Sequence, residues 1–211
     1  MERNRSDESR KTVRVPSGAA IMRGDVTEAL TRVFFDEWAR TGYAGLSLER
    51  VARTAGVGKA ALYRRWPDKA SMASDLLSRV GLTITDVEER GSLEADLEAA
   101  LFALRRVLRH PKVRRILTDL HGEIERTPAL GAAIRPFQRA RRERVDGLID
   151  RAIGRREVSP LVDRQMAADL IAAPLYWRLA VVGGRSDRAY IERLARVTGA
   201  AIRASEARHA S

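Results

Sequence analysis

The chain has no cysteine in its 211 residues, which excludes disulfides, thiolate metal sites and thiol-based redox sensing. No apolar run approaches the roughly 18 residues that a membrane-spanning helix needs. The opening segment MERNRSDESRKTVRVPSG lacks the apolar stretch of a secretion signal. These absences predict a soluble, cytoplasmic protein with no membrane partner. Histidine occurs only at His110, His121 and His209, and there is no glycine-rich phosphate loop, so few catalytic constellations exist. His121-Gly122-Glu123 has the H-x-E spacing of a zinc deaminase, but the P-C-x-x-C partner is missing. Neither catalysis, nor a metal, nor a cofactor is expected.

Aromatic residues make up only 5% of the chain, while 45% is apolar and rich in alanine and leucine, a composition that favours helices. The net charge of +11 favours acidic partners, nucleic acid first. Lysine appears only at 11, 59, 69 and 112, so the surplus is nearly all arginine. Arginine abundance by itself carries little weight, because a GC-rich coding preference also produces it. Its placement says more. Residues 50–69 hold Arg50, Arg53, Lys59, Arg64, Arg65 and Lys69 against Asp68 alone.

Residues 1–22 are polar, charged and without periodicity, and read as a mobile arm. Helical spacing starts at Asp25, with Val26, Ala29, Leu30, Val33, Phe34 and Trp38 as one stripe and Gly42 as the stop. Ser47 is placed to cap a short helix, LERVARTA, with Val51, Ala52 and Ala55 inward. A helix over 59–66 ends at Pro67-Asp68, and Asp68 caps a longer one carrying Met72, Leu76, Val80, Ile84 and Val87. Beyond a break at Gly91-Ser92, helices are predicted from Leu93 to Leu108 and over 112–126, 130–154, 163–182 and 187–205. The fold class is all-α, about nine helices. The domains expected are the arm, a unit over 23–82, and a bundle over 83–211.

Within LERVARTAGVGKAALYRRW, Gly56 falls where a helix end takes a positive φ. Ala52 is small enough for a second helix to pack close, with Val51, Val57 and Leu62 supplying apolar contact. That order of residues is a helix-turn-helix pattern. In the second helix Leu62 and Trp66 point inward, leaving Lys59, Ala60, Ala61, Tyr63, Arg64 and Arg65 outward. At 1.5 Å per residue it is about 11 Å long, and its narrow basic face fits a major groove. The bland alternative is a solvated basic helix in an ordinary bundle.

These residues resemble a known family. Tyr43-Ala-Gly-Leu-Ser-Leu-Glu-Arg-Val-Ala, Ala-Gly-Val-Gly-Lys and Leu-Tyr-Arg-Arg-Trp-Pro-Asp-Lys look like the DNA-binding domain of the tetracycline-repressor (TetR/AcrR-type) family, over about 23–82. The resemblance implies an all-α homodimer that binds double-stranded operator DNA through three N-terminal helices and a small-molecule effector through its C-terminal bundle. It places Lys59, Ala60 and Arg64 nearest the bases and Tyr63, Arg65 and Lys69 nearest the phosphates. Ser47 would cap the second helix and touch the backbone. Ala61 departs from the family, which usually has a small hydroxyl residue there, so Lys59 and Arg64 would carry more of the affinity.

A rival basic run comprises Arg135, Arg139, Arg141, Arg142, Arg144, Arg151, Arg155 and Arg156, among Glu143, Asp146 and Asp150. It falls away from the Phe137/Val145/Leu148 stripe and reads as a solvated face, with non-specific DNA contact as the alternative. LIAAPLYWRLAVV, 170–182, is apolar nearly all round and must be covered on several sides; Pro174 should bend it. Ile191, Leu194, Thr198 and Ala201 form a seam on the last helix. With Leu170, Trp177 and Val181 they are the candidate dimer interface, a four-helix arrangement, unless both helices only complete the monomer's core. Phe102, Leu117, His121, Phe137, Tyr176 and Trp177 are candidate pocket residues, with ordinary core as the competing role. Two further functions remain open: a non-specific architectural DNA-binding protein, and a helical ligand-binding scaffold with a vestigial helix-turn-helix.

Overall fold

The computed structural model describes residues 18–84 and 88–205. Among the described residues there are nine α-helices and no strand: α1 (Gly18–Gly45), α2 (Leu48–Thr54), α3 (Lys59–Arg65), α4 (Lys69–Ile84), α5 (Leu93–Leu108), α6 (Pro111–Arg126), α7 (Pro128–Gly154), α8 (Arg164–Tyr176) and α9 (Arg188–Ala204). A short π-helical segment, Trp177–Val181, continues α8.

Side-chain acceptors start the helices by meeting backbone N–H groups that have no intrahelical partner. Ser47 accepts from the Arg50 N–H at 3.4 Å, Asp68 from Ser71 at 2.7 Å, Ser92 from Ala95 at 3.2 Å, Asp163 from Met166 at 2.9 Å and Asp187 from Tyr190 at 2.7 Å. Pro111 and Pro128 stand at the first helical position of α6 and α7, where the missing N–H costs nothing. Gly56, at φ +67°, closes α2 and lets the Val57 N–H reach the Ala52 carbonyl at 2.9 Å. Arg156 has φ 62° at the corresponding position after α7, and the Glu157 N–H reaches the Ala152 carbonyl at 2.9 Å.

Two apolar clusters fill the molecule. The first joins α1–α4 to α6 and the start of α7, around Phe34, Trp38, Tyr43, Leu62, Trp66 and Met72. Its rings interlock: Phe34 and Trp38 meet edge to face with centroids 5.8 Å apart, and Trp38 lies 5.3 Å from Tyr43. The second cluster is aliphatic, built from Leu93, Leu97, Leu101, Leu148, Ile149 and Ile191 with their neighbours on α5, α7, α8 and α9. Leu117 packs against both.

Several expectations need correction. α1 begins at Gly18, upstream of Asp25, because Ala19, Ala20 and Met22 are strong helix formers that carry the helix through the single Gly24. Residues 18–22 are therefore helical rather than part of an arm, while 1–17 lie outside the described residues. Val26 is 43% exposed, since it precedes Leu30, the first buried position of the stripe. The side chains of Val80 and Ile84, and Val87 altogether, lie outside the described residues. The last long hydrophobic helix leaves α register after Tyr176. Pro174 has no N–H to donate, and three residues further on the chain winds with the wider turn, the Val182 N–H reaching the Trp177 carbonyl at 2.9 Å.

Candidate nucleic-acid interface

α2 and α3 are held by what they bury. Val51, Ala52 and Leu62 are in the core and Val57 is half-buried at the turn. Trp66 closes α3, buried, with its indole N–H donating to Asp75 on α4 at 3.0 Å. Glu37 on α1 is also buried and forms ion pairs at 2.8 Å with Arg40 and with Arg50 of α2. The pair with Arg50 ties α2 to α1, because removing it leaves the buried carboxylate with Arg40 of its own helix alone.

Lys59, Ala60, Ala61, Tyr63, Arg64 and Arg65 are all exposed on α3. Arg64 faces no carboxylate among the described residues. Lys59 pairs with Glu49 of α2; the hydrogen bond and charge of Lys59 hold the Glu49 carboxyl below its ordinary range, and Glu49 raises Lys59 in turn. Both groups are solvated, so exchanging Glu49 for another anion costs little. No local pattern points to this pair, whose members sit on different helices. Arg65 donates to Thr27 Oγ1 on α1 at 2.8 Å and lies 4.3 Å from the Trp66 ring centroid.

Lys69 has a structural post. Its ammonium donates to the carbonyls of Tyr43 at 2.8 Å and Ala44 at 3.2 Å, and lies 4.5 Å from the Tyr43 ring centroid. It thus binds the C-terminal carbonyls of α1, where a cation is favoured. Ser47, half-buried, acts as the α2 cap.

The end of α1 is clamped from α6. Asp119 Oδ2 accepts both the Trp38 indole N–H at 2.7 Å and the Tyr43 backbone N–H at 2.8 Å. Gly42, at φ +70°, makes the kink, and a Cβ there would stand 2.9 Å from Asp119 Oδ1. Burial, then the nearby charges of Asp68 and Glu123, push the Tyr43 hydroxyl up to about 12. This clamp was not foreseen, since its parts lie far apart in sequence.

In the second half, Phe102, Leu117 and Tyr176 pack against the same aliphatic cluster. His121 and Tyr176 do meet, with Nδ1 and the hydroxyl oxygen 3.0 Å apart and the rings edge to face. Phe102 and Leu117 are half-buried in the aliphatic cluster, Phe137 borders the aromatic one, and Trp177 is 62% exposed. A cleft of about 820 Å³ opens instead between α5, α7 and α8, and none of the six lines it. Of the candidate interface residues, Ile191 and Thr198 are corrected: both are buried in their own chain's core, because α9 turns that face towards α5. Trp177 and Val181 are exposed, together with Val182 and Val197, while Leu170, Leu194 and Ala201 are half-buried. Among the described residues no group of acids and histidines could hold a metal, and no helix is long and apolar enough to cross a membrane.

α1–α4 thus form a helix-turn-helix unit carried on an all-helical body. Comparison with known proteins extends this. Residues 35–76 match the family described as bacterial regulatory proteins, tetR family, and residues 87–198 match the tetracyclin repressor-like C-terminal domain. A DNA-binding transcriptional repressor TetR of Mycobacteroides abscessus is 33% identical over 82% of this chain and 92% of its own length. An uncharacterised helix-turn-helix-type regulator of Bacillus subtilis is 24% identical over 79% of this chain and 84% of its own. The crystal structure of the TetR-family transcription regulator SCO0332 superposes with a TM-score of 0.66 at 28% identity, covering 83% of this chain and 97% of that one. The chain belongs to the TetR family of DNA-binding transcriptional regulators, which are typically repressors.

Proposed function

We propose that this regulator is a homodimeric repressor that reads a palindromic operator through α3 and is released by a small molecule held in its C-terminal bundle. One observation carries the DNA-reading part: α3 turns Leu62 and the following Trp66 into the core while Lys59, Ala60, Ala61, Tyr63, Arg64 and Arg65 all remain exposed. The small side chains of Ala60 and Ala61 allow close approach to base edges. Lys59 and Arg64 are the base-reading groups, donating to guanine O6 and N7. Tyr63 and Arg65 supply phosphate contacts, and Lys69 contributes its remaining N–H and its charge.

Dimerisation is supported by the exposed apolar surface of Trp177, Val181, Val182 and Val197, residues a monomer would gain by covering. The half-buried Leu170, Leu194 and Ala201 flank it. A short α3 also favours two copies, since a single half-site of about four base pairs carries little specificity. The Asp119 clamp gives the C-terminal half a grip on the end of α1. An effector releases DNA only by binding one arrangement of the two halves more tightly than the other.

Selection of bound duplexes from a random pool at about 150 mM salt, where non-specific binding is weak, tests the reading. Recovery of one palindrome with half-sites about ten base pairs apart is the expected result. Recovery of no motif would replace it with architectural binding.

A further inference from the structure

We propose that the cleft between α5, α7 and α8 binds an amphipathic organic anion, an apolar chain or ring carrying a phosphate or carboxylate. The inference rests on the effector reading above and adds the chemistry of the effector. The cleft is about 820 Å³, within the size range of small-molecule sites. Its apolar lining comes from Leu104, Val145, Leu148, Ile171 and Ala172, of which Leu148 and Ile171 are buried. Its polar lining is almost all of one sign: Arg135, Arg139, Arg141, Arg142, Arg144 and Arg151 against the single carboxylate of Asp169.

Arginines elsewhere in the same half are matched. Arg155 pairs with Glu89, Glu157 and the fully buried Asp96, Arg164 with Asp150, Arg188 with Glu192 and Arg203 with Glu94. Arg135, Arg139, Arg141, Arg142 and Arg151 at the cleft are not matched in this way. Arg142 donates to the neutral Gln165 at 3.1 Å, and Arg151 approaches Asp96 only to 3.8 Å. No carboxylate pairs with Arg135, Arg139 or Arg141 among the described residues. Arg141 lies 5.9 Å from the Phe137 ring centroid. Arg141 is exposed, and partial desolvation by the surrounding protein lowers it from the ordinary guanidinium value.

Like charges gathered around a recess repel one another, and a bound anion relieves that repulsion as a neutral ligand cannot. Guanidinium forks also match phosphate and carboxylate oxygens two at a time. The apolar lining gives no return to a bare inorganic anion, so the ligand needs a hydrophobic body as well. A DNA duplex presents a convex backbone, and a recess with an apolar base does not receive it.

The test is calorimetric titration of the full chain with decyl phosphate, decanoate, decanol and inorganic phosphate, each below its aggregation limit. One decyl phosphate or decanoate per chain is expected, the stronger of the two naming the headgroup, with decanol and inorganic phosphate each at least about tenfold weaker. Arg139→Gln/Arg141→Gln should weaken the anion at least about tenfold without changing thermal melting. Ala172→Phe, which fills the recess and leaves the charges alone, should do the same. Equal binding of decanol, no binding of either anion, or anion binding untouched by both variants would overturn the inference. So would loss of random-sequence duplex binding, and of nothing else, in the arginine variant. Release of a selected palindrome is read separately. Anion binding at the cleft without release upholds the site and removes the effector reading. Release by decanol with no anion binding does the reverse.

Discussion

Residues 50–69 carry six basic residues against one acid, and residues 135–156 carry eight against three, so both have the same formal surplus. Their geometry differs completely. The first surplus sits on and around α3, a seven-residue helix whose outward side chains are all exposed. The second lies on α7, a helix of 27 residues, and the two residues after it, and six of its arginines line a cleft with an apolar base. Charge states that the partner is acidic; curvature decides which kind of acid fits. A narrow ridge enters a groove, and a recess encloses a small molecule.

The largest expected effect breaks the link between these regions. Asp119→Ala orphans the Trp38 indole N–H and the Tyr43 backbone N–H, each worth about 1–3 kcal/mol when left unsatisfied in a buried setting. Urea unfolding should show a loss of about 2–6 kcal/mol in total, with Asp119→Asn less affected because one acceptor remains. A next step sharpens the ridge. Arg64→Ala should cost about 1–3 kcal/mol of operator affinity and relax base preference at one position, read by competition with single-base variants of the palindrome.

Arg156→Gly addresses only the end of α7, behind the cleft. Arginine at φ 62° is held in a region glycine occupies freely. The substitution should stabilise the fold by about 0.5–1 kcal/mol, a rise in melting temperature of about 1–4 °C. A last effect appears only at high pH. Tyr43 is pushed up to about 12 in the folded chain, against about 10 when unfolded. The folded state therefore keeps its phenol proton longer, and the stability this confers is complete below about pH 10 and is lost as pH climbs towards 12. Comparing wild type with Tyr43→Phe across that window should show the larger loss in wild type, since the lysine contacts titrate in both.

Much of the ridge was legible in the sequence because its determinants are local. Ser47, Gly56, Leu62 and Trp66 each act within a few residues of themselves, and periodicity separates inward from outward positions. The cleft was not legible. The arginines of 135–156 leave the apolar stripe, as their spacing implied, but whether a face meets solvent or borders a recess depends on α5 and α8, which arrive from elsewhere in the chain. The Ile191/Thr198 seam misled for a related reason: an apolar stripe states that something covers it, not whether that is α5 of the same chain or a second copy. Lys69 belongs with these. Only the fold brings the Tyr43 and Ala44 carbonyls to its ammonium, which leaves one N–H and its charge for a phosphate. Asp119 offered no cue at all, because its partners Trp38 and Tyr43 lie on α1, far away in sequence.

The most direct test sets the two arginine clusters against each other on one ligand. Affinity for the selected palindrome is measured side by side for wild type, Arg64→Ala and Arg139→Gln/Arg141→Gln, at about 150 mM salt. The account predicts a loss of about 5- to 150-fold for Arg64→Ala, the equivalent of 1–3 kcal/mol, and no more than about twofold for the cleft variant. Equal losses, or a larger loss from the cleft variant, would contradict it and make the second cluster part of the DNA-binding surface.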